Sequence, residues 1–211
     1  MPGRRWCVVP NGTGIGAARG ERQPGPPRLL FVGRIDPIKA LDNLIAALGK
    51  LPEAVALTIA GQGDAVYVET LRRQCAAAGV SGQVRFTGFA DGAAKAKLYA
   101  EADLAITPSH SENFGMVVAE ALGHGVPVVV SRGTPWQRVE REGCGLWVGN
   151  RPEELAAAVT QALRMDLRAM GERGRAWMER EYSWDGRAKE MLAVYESLRR
   201  PVSSTEMDRH A

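Results

Sequence analysis

The chain has 211 residues, 45% of them hydrophobic and 6% aromatic, and its formal net charge at pH 7 is +3. This length suits one globular domain with an appended segment. The basic residues are scattered, which argues against a nucleic-acid partner or a polybasic membrane anchor and still allows a single bound anion. Three widely spaced cysteines favour a reduced compartment over a disulfide framework or a zinc site. No signal peptide or membrane-length apolar run is recognisable, so we expect a cytoplasmic protein.

Short apolar runs alternate with helical patterns along the chain. The apolar runs predict strands at residues 29–32, 55–59, 84–87, 104–107, 127–130 and 145–148. The helical patterns predict helices at residues 38–51, 65–78, 93–102, 114–123, 152–163, 167–180 and 184–198. Repeated β–α units predict an α/β fold, a Rossmann-like, doubly wound parallel sheet with C-terminal helices. Ligands bind at the carboxyl ends of such strands, where four loops should converge: residues 33–37, 61–64, 88–92 and 108–113.

A glycine-rich segment near the start of the chain matches a dinucleotide-binding pattern. Gly12 to Ala17 reads G-x-G-x-x-A, yet the pattern has meaning only where a helix opens directly after it. Here Gly20 and a proline-rich stretch follow instead, and an acidic ribose partner about twenty residues on is missing. We therefore interpret residues 10–27 as loop or linker, without a dinucleotide site.

Two carboxylates, Glu112 and Glu120, stand on either side of the start of an apolar run. Residues 115–122 are apolar almost all round, which predicts a buried helix, and a buried carboxylate needs a partner to offset its desolvation. A bound ligand would be such a partner. The alternative is a solvated carboxylate on a surface helix.

Two cations follow the first predicted strand. Gly33 ends that strand, and a glycine there lets a ligand or a loop approach the backbone. Arg34 and Lys39 are predicted on the turn and the first helical residues, where the helix macrodipole disfavours cations unless an anion joins them. A diphosphate would supply that anion, with a fork of donors from Arg34 and a point charge from Lys39. The alternative is two exposed cations without a ligand.

A set of spaced motifs resembles one protein family. The motifs are Val32-Gly33-Arg34, Lys39 with Leu44-Ile45-x-Ala47, Gly61-Gln62-Gly63, Phe86-x-Gly88-Phe89, Ala102-Asp103, Pro108-Ser109, Glu112-x7-Glu120 and Gly125-x-Pro127-Val128-Val129. Over residues 8–198 they resemble the nucleotide-sugar-binding half of a retaining GT-B glycosyltransferase of family 4, also called group 1. Thr134-Pro135-Trp136 departs from the commonest form of the family and is similar to a branch associated with bacterial surface-polysaccharide assembly.

The resemblance implies a single GT-B donor half. It divides the chain into a residual interdomain segment and linker, a donor-binding domain, a crossover helix and a disordered tail: residues 1–27, 28–182, 183–200 and 201–211. The acceptor half, with a loop histidine that touches the donor sugar, would be missing, so this chain alone would bind without turnover. We do not assign that histidine's role to His110, a cleft-wall residue at most, to His124 at a helix end, or to His210 in the tail.

The resemblance also implies roles at the site. Arg34, Lys39 and Glu112 would form the catalytic set, with the cations at the leaving diphosphate and the carboxylate at the donor-sugar hydroxyls. Glu120 would bind the ribose diol. The nucleotide-sugar-binding set comprises Gly33, Arg34, Lys39, Gly61, Phe89, Ala90, Glu112, Asn113, Phe114, Gly115, Met116 and Glu120. The base would lie near Phe89, unless that residue belongs to the core.

The function implied is hexosyl transfer from a UDP- or GDP-type sugar to a glycan or lipid-linked acceptor, in bacterial surface-polysaccharide synthesis. No cofactor or metal is expected, because protein cations serve the phosphates and no D-x-D pair is present. A non-catalytic nucleotide-sugar-binding module or subunit is the main alternative. A nucleotide-sugar epimerase, a phosphorylase and a pure interaction protein are further alternatives.

The last predicted helix carries an apolar stripe whose members are Trp184, Ala188, Met191, Leu192, Tyr195 and Leu198. Core packing is the default interpretation of such a stripe. If the helix instead crosses onto the acceptor half, part of the stripe should be exposed here and favour a homodimer. The same missing half would bring the protein to a membrane surface as a peripheral protein.

Overall fold

The fold is that of a computed structural model that describes residues 7–17 and 24–199. The predicted tail, His210 and part of the predicted linker lie outside the described residues. Six strands form one parallel sheet in the order β3-β2-β1-β4-β5-β6. They are β1 (Arg28–Val32), β2 (Ala56–Ala60), β3 (Val84–Gly88), β4 (Leu104–Thr107), β5 (Val128–Ser131) and β6 (Gly145–Val148). All six predicted strands and the doubly wound parallel sheet are confirmed.

Helices cover both faces of the sheet. They are α1 (Leu41–Leu48), α2 (Ala65–Ala77), α3 (Gly92–Glu101), α4 (Met116–Gly123), α5 (Arg138–Arg141), α6 (Pro152–Leu163), α7 (Leu167–Glu181) and α8 (Trp184–Arg199). The seven predicted helices are confirmed, and α5 was missed because one turn is too short to show helical periodicity. Within the described residues, no helix combines the length and the apolar character needed to cross a membrane.

The prediction that a helix begins at residue 38 is wrong. Pro37–Lys39 forms a separate 3-10 turn, capped where the Ile38 N–H donates to Oδ1 of Asp36 at 3.0 Å. Ala40 then adopts a left-handed conformation with φ 50°, and α1 begins only after it. Lys39 therefore precedes a helix instead of opening one, so its placement does not follow from the helix macrodipole.

Side chains alternate between the two sides of the sheet and build one core on each side. Leu29 and Phe31 of β1 pack with α1, α2 and α6, whereas Leu30 faces α4 and α7. The second core also contains the buried Trp136 and Trp177. Because both faces are covered, the carboxyl edge of the strands is left for the loops that carry the candidate site.

The first described segment and the start of α8 run side by side. The Thr13 N–H donates to the Tyr182 carbonyl at 2.7 Å, and Thr13 forms a parallel bridge with Ser183. A Cβ atom at Gly12 would lie 2.5 Å from the Trp184 ring, and one at Gly16 would lie 2.2 Å from the His124 ring. Residues 11–17 contain no helix, and Gly12 and Gly16 of the rejected dinucleotide pattern serve close packing, whereas a Cβ atom at Gly14 would meet nothing within 4 Å.

Candidate functional site

The loops after β1, β2 and β3 are joined by backbone hydrogen bonds. The Gly33 N–H donates to Ala60 at 3.0 Å, and the Gly61 N–H donates to Gly88 at 2.8 Å. A Cβ atom at Gly61 would lie 1.7 Å from the Gly33 carbonyl oxygen, and Gly33 itself has φ 149°. Both positions therefore require glycine, Gly61 for the close approach and Gly33 for its backbone conformation.

The loop after β4 joins this group. The His110 N–H donates to the Ile38 carbonyl at 2.8 Å, and the Glu112 N–H donates to the Gly133 carbonyl at 2.9 Å. The expected convergence of loops at the carboxyl edge of the sheet is therefore observed. It brings residues that are distant in sequence, such as Lys39 and Glu112, to one place.

Lys39 and Glu112 form an ion pair at this edge. The Lys39 Nζ lies 2.5 Å from Oε1 of Glu112, and the two side chains are only 15% and 12% exposed. The Ser109 hydroxyl donates to the same Oε1 at 2.8 Å. A carboxylate held by two donors is fixed in orientation, and its second oxygen retains its capacity to accept hydrogen bonds.

Arg34 is exposed on the same loop as Lys39, after β1. Among the described residues its guanidinium makes no hydrogen bond or ion pair. An exposed guanidinium of this kind is suited to a bidentate contact with a phosphate.

The start of α4 also differs from the predicted helix 114–123. Phe114 precedes the helix and Gly115 is its N-cap, with φ 76°. The Phe114 ring packs against Trp136 at 5.2 Å, while the Trp136 Nε1–H donates to the Phe114 carbonyl. The N–H groups of Phe114, Gly115 and Met116 find no acceptor within the described part of the chain. Successive free N–H groups at a helix N-terminus favour an anion.

Glu120 does not depend on a ligand for its partner. The Lys95 Nζ lies 2.8 Å from Oε1, and the Tyr99 hydroxyl donates to Oε2 at 3.1 Å. Burial and the charge of Glu120 raise the pKa of Tyr99 well above its usual value, so the hydroxyl stays protonated. The partner that the sequence predicts for a buried Glu120 is therefore supplied by these two protein donors, and a bound ligand is not needed for it. The sequence analysis did not identify Lys95 and Tyr99 as donors to Glu120. The one feature of the sequence that indicates them is their spacing of four residues, which places them on the same face of α3.

The remaining predicted residues lie around the same edge. Phe89 is 65% exposed, which removes the alternative that it belongs to the core. Ala90 is half-buried beside it and Asn113 is exposed. All three residues lie on loops at the carboxyl edge of the sheet, and the role of each stays a prediction.

The two described histidines have structural contacts. His124 caps the end of α4, its Nδ1 lies 2.8 Å from the Glu120 carbonyl oxygen, and its ring stacks on Tyr99 at 4.8 Å. His110 contacts the Asn150 amide at 2.8 Å. No group of three or more metal-ligating side chains occurs among the described residues, and metal independence stays a prediction.

The sheet order and the loop cluster define the Rossmann-like half of a GT-B glycosyltransferase fold. A family model described as "Glycosyl transferases group 1" matches residues 17–177, and the chain belongs to this family. It is 36% identical over 222 residues to a phosphatidyl-myo-inositol mannosyltransferase from Mycobacterium tuberculosis, covering 92% of this chain and 57% of the relative. The chain spans about half the length of the curated relatives it matches.

Two solved structures show the same fold. A sucrose-phosphate synthase from Thermosynechococcus elongatus is 27% identical with a TM-score of 0.80, and the match covers 91% of this chain and 52% of that one. HepE from Anabaena, solved in complex with UDP-glucose, is 24% identical with a TM-score of 0.74, covering 82% of this chain and 49% of that one. The second likeness shows the fold alone.

Proposed function

We propose that this chain binds a nucleoside-diphosphate sugar of the UDP or GDP type and contributes the donor site of a retaining hexosyltransferase. The observation that carries the proposal is the contact of Lys39 with Glu112 at 2.5 Å, where the loop that also carries the exposed Arg34 meets the loop after β4. This arrangement joins cations for a diphosphate to a carboxylate for sugar hydroxyls at one edge of the sheet. The nucleotide sugar bound by HepE supports the choice of ligand class.

The proposed chemistry is electrostatic activation of the donor. The bond between the sugar C1 and the diphosphate oxygen breaks while a bond from C1 to the acceptor oxygen forms. Arg34, Lys39 and the free N–H groups at the start of α4 stabilise the charge that develops on the departing diphosphate. The acceptor proton passes to that diphosphate, on the same face of the sugar, which retains the configuration. Glu112 orients the sugar through its hydroxyls, and no metal is needed.

We propose that the acceptor is a glycan or a lipid-linked molecule and that the setting is bacterial surface-polysaccharide synthesis. The mycobacterial relative is named for a phosphatidyl-myo-inositol acceptor, which supports a lipid-linked class. Because the matched relatives have about as much chain again, we propose that the acceptor is bound by a second, N-terminal domain or a partner subunit. That part would bring the cytoplasmic enzyme to the membrane surface, and the 211-residue chain alone would bind without turnover.

Calorimetric titration of the chain with UDP, GDP, ADP and NAD, without added metal, tests this proposal. We expect affinity for one nucleoside diphosphate that weakens in both Arg34→Ala and Glu120→Ala, and no binding of NAD. Binding of NAD alone, or of none of the four, would contradict it. Sugar transfer on addition of an acceptor domain would separate a transferase from a non-catalytic binding module.

A further inference from the structure

One face of α3 holds the Glu120 carboxylate by both of its oxygens. The Lys95 Nζ lies 2.8 Å from Oε1 and the Tyr99 hydroxyl lies 3.1 Å from Oε2. Lys95 and Tyr99 are four residues apart and therefore lie one above the other on the helix. The Lys95 and Glu120 side chains are 30% and 22% exposed, so the pair stands at the boundary between the interior and the open edge of the sheet.

Tyr99 is fixed from several sides. It is the buried residue of α3, at 1% exposure. Its ring stacks on His124, and Gly16 lies against the same histidine ring, where a Cβ atom would collide with it. A donor held this firmly sets the direction of the carboxylate it contacts.

The carboxylate keeps capacity for a ligand. An ionised carboxylate offers about four lone-pair positions, and Lys95 and Tyr99 occupy two of them, one on each oxygen. A ribose 2′,3′-diol presents two adjacent hydroxyl donors, which matches the position that remains on each oxygen. Lys95 also lies one helical turn after the loop that contains Phe89 and Ala90, where the base is proposed to bind. Its contact with Glu120 therefore connects this loop to the residue that is proposed to bind the ribose.

We propose that Lys95 and Tyr99 are positioning residues that fix the Glu120 carboxylate for a ribose diol, and that Lys95 thereby increases selection of ribonucleotides over 2′-deoxyribonucleotides. This assignment rests on the proposed function. A carboxylate that is already fixed loses no conformational entropy when the ligand binds. This entropy cost would otherwise weaken the contact with the ribose and leave the other contacts of the nucleotide unchanged.

The test is titration of the full 211-residue chain with UDP, 2′-deoxy-UDP, GDP and 2′-deoxy-GDP. The variants are Lys95→Met, Lys95→Arg and Tyr99→Phe, and the matched control is Lys97→Met. Lys97 lies on the same helix, is 77% exposed and approaches Glu101 only to 3.9 Å, so its removal makes the same charge change away from Glu120. Thermal unfolding of each variant checks that it folds.

We expect the unsubstituted chain to prefer the ribonucleotide by roughly tenfold, the size of one charge-assisted hydrogen bond. Lys95→Met should reduce that ratio by roughly threefold, because the carboxylate then keeps only the Tyr99 donor and is held less firmly. Lys95→Arg should keep most of the ratio, and Lys97→Met should keep all of it. If Tyr99→Phe fails to fold, the Lys95 variants still decide the ribonucleotide selection that is assigned to Lys95.

Three results would overturn the assignment while leaving the proposed function intact. In the first, Lys95→Met weakens the affinities for the ribonucleotide and the deoxyribonucleotide equally. In the second, it changes neither affinity. In the third, it increases the ratio of the two affinities, which would mean that Lys95 competes with the ribose for Glu120. If the unsubstituted chain binds neither UDP nor GDP, the proposed function itself fails and this assignment fails with it.

Discussion

The ammonium group of Lys39 lies 2.5 Å from Oε1 of Glu112, although the two residues are 73 positions apart in the chain. The cation proposed for the diphosphate and the carboxylate proposed for the sugar thus neutralise each other. Because both side chains are largely buried, solvent and salt screen their attraction less than that between exposed groups. The phosphates of a ligand must therefore either share Lys39 with Glu112 or displace the Glu112 carboxylate from Lys39.

Replacing Glu112 with glutamine should therefore tighten the binding of a nucleoside diphosphate alone. The amide keeps the shape of the side chain but no longer neutralises Lys39 or repels the phosphates, so UDP or GDP should bind roughly threefold to tenfold more tightly. The matching nucleotide sugar should gain less, since its hydroxyls lose a charged acceptor. Titration with both ligands measures the difference.

Glu101→Gln is the matched control for this experiment. Glu101 also belongs to a lysine–glutamate pair, at 3.9 Å from Lys97, but on the exposed surface of α3. Glu101→Gln should leave the affinities for the nucleoside diphosphate and for the nucleotide sugar unchanged. Weaker binding of the diphosphate in Glu112→Gln would show that the ion pair supports the site instead of competing for it.

Arg34→Ala should separate binding from stability. The guanidinium is exposed and makes no ion pair among the described residues, so its removal should change the free energy of unfolding by less than about 0.5 kcal/mol. Affinity for the diphosphate should fall roughly tenfold, and the dependence on salt should weaken. Arg168→Ala, at another exposed arginine, serves as the control. Equal affinities for the diphosphate in the two variants would remove Arg34 from the site.

Trp136→Phe should disturb the loop before α4. The substitution keeps an aromatic ring beside Phe114 and removes the indole donor to the Phe114 carbonyl, which costs about 1–3 kcal/mol when an acceptor is left unsatisfied. Since this carbonyl adjoins Gly115 in its left-handed conformation, the affinity for the diphosphate should also fall. Urea unfolding and titration measure the two effects.

Trp147→Phe is the control for the tryptophan variant, because its Nε1–H also donates to a backbone carbonyl, that of Thr134, at 3.2 Å. Trp147 lies half-buried on β6 and should affect the affinity for the diphosphate little. A similar loss of affinity in both variants would mean that general stability, not the loop at Phe114, controls binding.

Acid should weaken the contact between α5 and α7. Arg138 donates to both oxygens of Glu181, at 2.6 and 2.7 Å, and these hydrogen bonds lower the carboxyl pKa from 4.5 to about 2. The stabilisation is complete above pH 4.5 and is lost as the pH falls toward about 2. Partial exposure of the pair reduces its size.

Unfolding measured between pH 5 and about 2 tests this acid sensitivity. Glu181→Gln should make the free energy of unfolding less dependent on pH in that range. Glu179→Gln, on the same helix with a side chain that is 46% exposed, should not. Parallel pH profiles for the unsubstituted chain and Glu181→Gln would show that the pair contributes no acid sensitivity.

The apolar stripe of α8 should promote self-association. Its larger side chains are exposed, among them Leu192 at 58%, Tyr195 at 57% and Leu198 at 75%. Light scattering should show a concentration-dependent dimer that Leu192→Glu abolishes. Val66→Glu, at a 72% exposed site on α2, should leave association unchanged. A strict monomer at high concentration would contradict the expected homodimer.

Local patterns in the sequence were sufficient for the architecture. Runs such as Val128 to Val130 are apolar throughout because both faces of a parallel strand are buried, and α6 was predicted at its observed bounds from a proline start and helical periodicity. The convergence of loops at the carboxyl edge followed from parallel strand order alone. The strands, the helices and the order of the loops depend on the hydrophobicity and backbone preferences of successive residues, and both can be read directly from the sequence.

Only the tertiary structure decided which charged groups meet. Lys39 pairs with Glu112, and Lys95 with Glu120, across 73 and 25 residues, on elements whose relative placement no periodicity specifies. The left-handed Ala40 was equally invisible, since alanine is ordinarily a helix former. Local patterns in a sequence indicate the buried strands and helices, whereas the partner of a buried charge depends on how two elements pack against each other.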